Sequence, residues 1–182
     1  MAAVQGYGCM GLSAFYSSAA TTSEEQAIAV LRHAYESGVT LFNTATFYGP
    51  LNIVGYGANL RLLGKFLASG IDRSKIQLMV KICMDTRAPV EKTGTEWILR
   101  TSPAEVRADV DYALQTLGVD YIDIIVLCRV PTDRLIEEVV SSMAQLVAEG
   151  KAKHIGLSEA SAACVQKAHI VHPIYCIEQE WL

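Results

Sequence analysis

The chain has 182 residues, of which 51% are hydrophobic and 19% charged, with a net charge of −4 and a mean hydropathy of +0.26. That length is one ordinary domain with room for a buried core, and scattered basic residues give no electrostatic footprint for nucleic acid. No apolar run approaches the roughly 20 residues of a membrane span, and no signal peptide is visible at the N-terminus.

Short β-branched runs alternate with helix-period segments, which predicts βαβ units and a parallel sheet. A first strand ends near Gly8-Cys9-Met10-Gly11. Thr22-Ser23 followed by Glu24-Glu25 starts a helix that runs to Ser37 and closes at Gly38. The second strand is expected over Val39 to Asn43, and a short helix over Asn59 to Ala68 ends at Gly70. Ile76 to Lys81 is the third strand. Ser102-Pro103-Ala104-Glu105 then supplies a cap, a first-turn proline and a first-turn acid for a helix that stops at Gly118. Tyr121 to Leu127 is the fourth strand and the most apolar, Leu135 to Glu149 the fourth helix, ended by Gly150. His154 to Leu157, Ala160 to about His169, and Tyr175 to about Glu178 complete the alternation. Two loops, Gly49 to Ala58 and Met84 to Thr101, exceed the usual length and sit at carboxyl ends of strands, where α/β folds place their sites.

Five cysteines (Cys9, Cys83, Cys128, Cys164, Cys176) show no CxxC or Cys/His spacing. They read as reduced thiols, with no disulfide frame and no metal site, in a soluble reducing compartment such as the cytoplasm or an organelle stroma or matrix. His33, His154, His169 and His172 show no ligand spacing either. The low charged fraction has two readings: continuously apolar buried strands, or extra surface covered by a partner.

The segment Leu41-Phe42-Asn43-Thr44-Ala45-Thr46-Phe47-Tyr48-Gly49 resembles the Asp-Thr-Ala-x-x-Tyr-Gly signature of aldo-keto reductases. Further blocks resemble that family in order: Gly8-Cys9-Met10-Gly11-Leu12-Ser13, Leu117-Gly118-Val119-Asp120-Tyr121-Ile122-Asp123, and Gly150 to Ser161. Ordered blocks at family-like intervals weigh far more than a lone Gly-rich match. The resemblance implies an α/β fold: a single domain over residues 1–182 built as a partial (β/α)8 TIM-type barrel. About six strands are expected, not closed, lacking the last quarter of the barrel and the adenosine-binding loops it carries.

It also implies a site. In the family an Asp, Tyr, Lys and His tetrad reduces a carbonyl with NADPH; Tyr donates the proton, Lys assists it, Asp pairs with Lys, and His hydrogen-bonds the substrate oxygen. Tyr48 and Lys81 fall at the Tyr and Lys positions, whereas the Asp position is Asn43 and the His position Cys128. Read alone, Tyr48 is a packed loop aromatic, Lys81 a solvated strand-end charge and Cys128 a small buried hydrophobe. On this reading Lys81 loses its carboxylate partner. Ser158 and Glu159 align with carboxamide-binding positions, Glu178 with a Gln, and Trp181 with the Tyr that stacks on nicotinamide. NADPH binding is therefore expected to be weak or lost. The function expected is a catalytically impaired pseudoenzyme serving as a structural or regulatory subunit, with other chains or a homo-oligomer covering open strand edges. The alternative is an NADPH-dependent reductase of aldehydes or ketones.

Overall fold

The computed structural model describes residues 5–87, 94 and 97–180. Six parallel strands form one sheet in the spatial order β1 (Gly6–Gly8), β2 (Leu41–Ala45), β3 (Gln77–Ile82), β6 (Ile122–Leu127), β7 (Ala152–Ser158) and β8 (Ile174–Glu178). Between β3 and β6, the short strands β4 (Met84–Asp85) and β5 (Ile98–Leu99) pair antiparallel in a separate ribbon. Helices α1 (Ser17–Thr21), α2 (Glu24–Glu36), α3 (Ala58–Ala68), α4 (Pro103–Leu117), α5 (Ile136–Ala148) and α6 (Ala162–Val171) fill the crossovers. The sheet is an open, partial TIM-type barrel with β1 and β8 at its edges. Among the described residues, no helix is long and apolar enough to cross a membrane.

Local chemistry accounts for the helix ends. Ser23 and Ser102 each close a reciprocal capping box, with Gln26 and Glu105 respectively, and Pro103 occupies the first turn of α4. Gly118, at φ +70°, ends α4 in the left-handed conformation that a side chain would resist. The elements follow the expected order, with ends displaced by one to three residues. β2 extends two residues past Asn43, because Thr44 and Ala45 pair with Val80 and Lys81. Sequence reading missed α1 and the short 3-10 turns at Met10–Leu12 and Arg73–Lys75, which are too brief to carry a period.

Strand alternation sorts the core into two layers. Phe42, Leu78, Val80, Ile82, Ile125, Leu127, Ile155 and Leu157 join the large cluster formed with the helices. Residues of the opposite parity, Met79, Ile124 and Val126, form a second cluster on the concave face, with Leu41 and Cys176 packed against it. The three central residues of that inner layer are buried. Exposed apolar side chains include Ile170, at 86%, and Ile177, at 46%, on the last two elements, and Ile53 and Val54 on the Gly49 to Ala58 loop.

The long loops are tied down from below. Asp109, buried on α4, accepts from the Tyr56 hydroxyl at 3.0 Å and from the backbone N–H of Cys83 at 2.7 Å. Arg87 and Arg100 both bind Asp85, and Arg100 also reaches Glu105. Replacing Asp109 with Ala strands two buried donors and should cost about 2–4 kcal/mol in denaturant unfolding. The Asp111→Ala control removes only the exposed contact to Lys151 and should cost under about 1 kcal/mol. Equal losses would show that Asp109 does not anchor these loops.

Candidate active site

The same alternation that hides the apolar core delivers polar groups to the carboxyl end of the concave face. Asn43 is register partner to Gly8 and Met79, Lys81 to Ala45 and Val126, and Glu178 to Ser158. Lys81 is 3% exposed, and its ammonium donates to Glu178 Oε1 at 2.5 Å and to Asn43 Oδ1 at 2.7 Å. Asn43 Nδ2 in turn donates to Glu178 Oε2 at 2.6 Å. The expectation that Lys81 has no carboxylate partner is thus corrected. A carboxylate is present, and it comes from β8 instead of β2.

Tyr48 lies just past β2 and is 6% exposed. Its carbonyl accepts from the backbone N–H of Asn59 and from the Ser13 hydroxyl, and its ring meets Phe15 and Phe47 edge-on. The Lys81 ammonium stands 5.2 Å from the centre of that ring. Burial, and after it the Glu178 charge, push the phenol well above its ordinary range. Asn59 was not singled out in the sequence, yet it holds this corner together. Fully buried at the start of α3, it accepts from Thr44 Oγ1 and donates to the Cys9 carbonyl and Ser13 Oγ. A polar residue inside an apolar helix face was the only signal.

Cys128 follows β6 and is 3% exposed. Burial pushes its thiol up to about 11, against the opposing influence of Arg129 and Lys81. The Arg129 guanidinium lies 3.8 Å from that sulfur and 3.3 Å from Ser158 Oγ. Phe15, Cys83 and Glu159 all adopt positive φ and follow β1, β3 and β7. Each such conformation costs on the order of 1–3 kcal/mol, and all three follow the carboxyl ends of strands. An open cleft of about 370 Å³ joins Tyr48, Lys81, Asn43 and Glu178 to Tyr7, Met10 and Tyr16. Gly8 lines this cleft, where a Cβ would meet nothing within 4 Å.

The donors that a nicotinamide carboxamide would need are only partly free. Ser158 is buried beside Arg129, with a hydroxyl able to donate or accept. The Glu159 carboxylate accepts the backbone N–H of Glu180, and Glu178 is engaged by Lys81 and Asn43. Trp181 lies outside the described residues. No cluster of metal-ligating side chains occurs among the described residues.

The open β/α barrel thus carries a buried lysine beside a tyrosine at the carboxyl ends of its strands. The chain belongs to the aldo/keto reductase family, whose model matches residues 8–182. It is similar to "Probable aldo-keto reductase 1" of Glycine max, 38% identical over 176 residues, which are 97% of this chain and 47% of that protein. Among solved structures it is similar to the aldo-keto reductase AKR11C1 from Bacillus halodurans (holo form), with a TM-score of 0.77 and 26% identity over 97% of this chain and 52% of that one. Glycerol dehydrogenase AKR11B4 from Gluconobacter oxydans shares the fold, with a TM-score of 0.78 at 20% identity over 96% of this chain and 50% of that one. The chain spans about half the length of the relatives it matches.

The thiol geometry is directly testable. At about pH 8 a thiol titrating near 11 is roughly one part in a thousand thiolate. Peptide mapping after brief alkylation of the native protein should find Cys164 and Cys176, which are only partly buried, labelled before Cys128. Labelling of Cys128 should accelerate as pH rises toward 11. Early labelling of Cys128 at neutral pH would contradict its buried placement.

Proposed function

We propose that this chain is a catalytically impaired member of its family, serving as a structural or regulatory subunit of a larger assembly. The observation that carries the reading is Cys128. Its buried thiol stands where the family resemblance implies an imidazole, and a thiol is a weak donor to a substrate oxygen. Loss of one such preorganised donor costs on the order of 10² to 10³ in rate. Tyr48 supports the same conclusion, since a phenol that holds its proton more tightly is a poorer acid toward a carbonyl oxygen.

The nicotinamide cofactor of the family would supply the hydride when bound. Ser158 is the residue that supports its retention, whereas the engagement of Glu159 and Glu178 supports weakened affinity. Among the described residues β1 and β8 stand at the sheet's edges, and with the exposed Ile170, Tyr175 and Ile177 they support a covering partner, supplied by other chains or a homo-oligomer. The single-domain reading of residues 1–182 belongs to the same proposal. A second reading, an active NADPH-dependent reductase of aldehydes or ketones, is favoured by the Lys81–Glu178 ion pair.

Turnover decides between them. Under the proposed reading, wild-type protein consumes NADPH with an aromatic aldehyde no faster than a Tyr48→Phe control, and Cys128→His raises the rate at least about tenfold. Robust wild-type turnover that Tyr48→Phe abolishes would establish the second reading. For the assembly, light scattering on the native particle should give a mass above that of one chain. A cooperative monomer at micromolar concentration would remove the case for a partner.

A further inference from the structure

We infer that Glu178 is the positioning residue of Lys81, and that positions 43 and 178 form an exchangeable pair holding one carboxylate between them. Three contacts close a ring: Lys81 Nζ to Glu178 Oε1 at 2.5 Å, Lys81 Nζ to Asn43 Oδ1 at 2.7 Å, and Asn43 Nδ2 to Glu178 Oε2 at 2.6 Å. The ring fixes the sense of the amide. Its oxygen must face the ammonium and its nitrogen must face the carboxylate.

Each alternative at the two positions can be read off that geometry. A carboxylate at 43 would still accept from Lys81, but its second oxygen would lie against Glu178 Oε2 as a like charge at hydrogen-bond distance. An amide at 178 would leave a lysine that is 3% exposed without a countercharge, since among the described residues its ion pair is with Glu178. Exchanging both residues restores one cation, one carboxylate and one bridging amide. The site therefore tolerates the charge on β2 or on β8, and rejects both or neither.

The present arrangement has a structural consequence. β8 is separated from β3 by β6 and β7 in the sheet, so the ion pair reaches across the concave face. The Glu178 carbonyl also accepts from Glu159 N–H at 3.0 Å, and Gln179 Nε2 donates to the Ala160 carbonyl at 2.9 Å. Docking of β8 thereby sets the position of a lysine 97 residues earlier in the chain. The inference concerns the same site as the proposed function but rests on this geometry alone, so turnover results leave it untouched.

The test is a cycle in the full chain: wild type, Asn43→Asp, Glu178→Gln and the double exchange. It is read by thermal unfolding midpoint and by the ¹⁵N signal of the Lys81 ammonium, which is observable only while the group is shielded and hydrogen-bonded. Each single change should lower the midpoint by at least about 5 °C, and Glu178→Gln should erase the signal. The double exchange should recover the midpoint to within about 2 °C and restore the signal. If a single variant fails to fold, folding of the double variant with a wild-type midpoint supports the inference as strongly. Additive losses, a double variant that also fails to fold, or singles indistinguishable from wild type would each overturn it.

Discussion

A lysine ammonium enclosed in a parallel sheet is stable only with a carboxylate at hand, and the carboxyl end of this fold is arranged around that requirement. Removing an ammonium from water costs several kcal/mol, which attraction to one well-placed anion and further hydrogen bonds can offset. Lys81 finds both in Glu178 and Asn43, which lie 135 residues apart in the chain. The contact therefore constrains the curvature of the sheet as well as the site, since β2, β3 and β8 must bring their ends together over the concave face. A flat sheet of the same strand order would hold β3 and β8 too far apart.

Rigidity elsewhere serves the same end. Asn59 binds the end of β1, the interior of β2 and the Ser13 turn to one buried amide, which fixes the loop carrying Tyr48. Asp109 does the corresponding job beneath Cys83, two residues beyond Lys81. Buried polar groups of this kind are costly unless satisfied, so once satisfied they admit few alternative packings. Asp109 holds the positive-φ Cys83 through its backbone N–H, and Phe15 follows the Ser13 turn that Asn59 binds.

Placed in its family, the chain combines a retained frame with an altered donor set. The order of strands and helices, the Tyr48 loop and the buried lysine persist. A thiol stands where the family resemblance implies an imidazole, and the carboxylate beside Lys81 comes from β8. These two features pull in different directions: the Glu178 carboxylate holds the lysine in place, while a thiol at position 128 would offer a substrate oxygen only a weak hydrogen bond.

Much of this was legible in the chain itself. Ser23, Ser102, Pro103 and Gly118 announced helix ends because capping is local chemistry, settled within four residues. The parallel sheet followed from βα alternation, and the motif around Tyr48 pointed to the site. Strand ends were less legible: β2 runs on to Ala45 because β3 offers partners there, a fact about a neighbour 36 residues away. The burial of Met79, Ile124 and Val126 likewise depends on sheet curvature. The identity of Lys81's partner was beyond the sequence altogether. Asn43 and Glu178 each read as a loss when taken singly, because a linear chain shows which residue types are present but not which of them meet. Charge compensation acts through distances of a few ångströms in space, and only the folded sheet brings positions 43, 81 and 178 within that range.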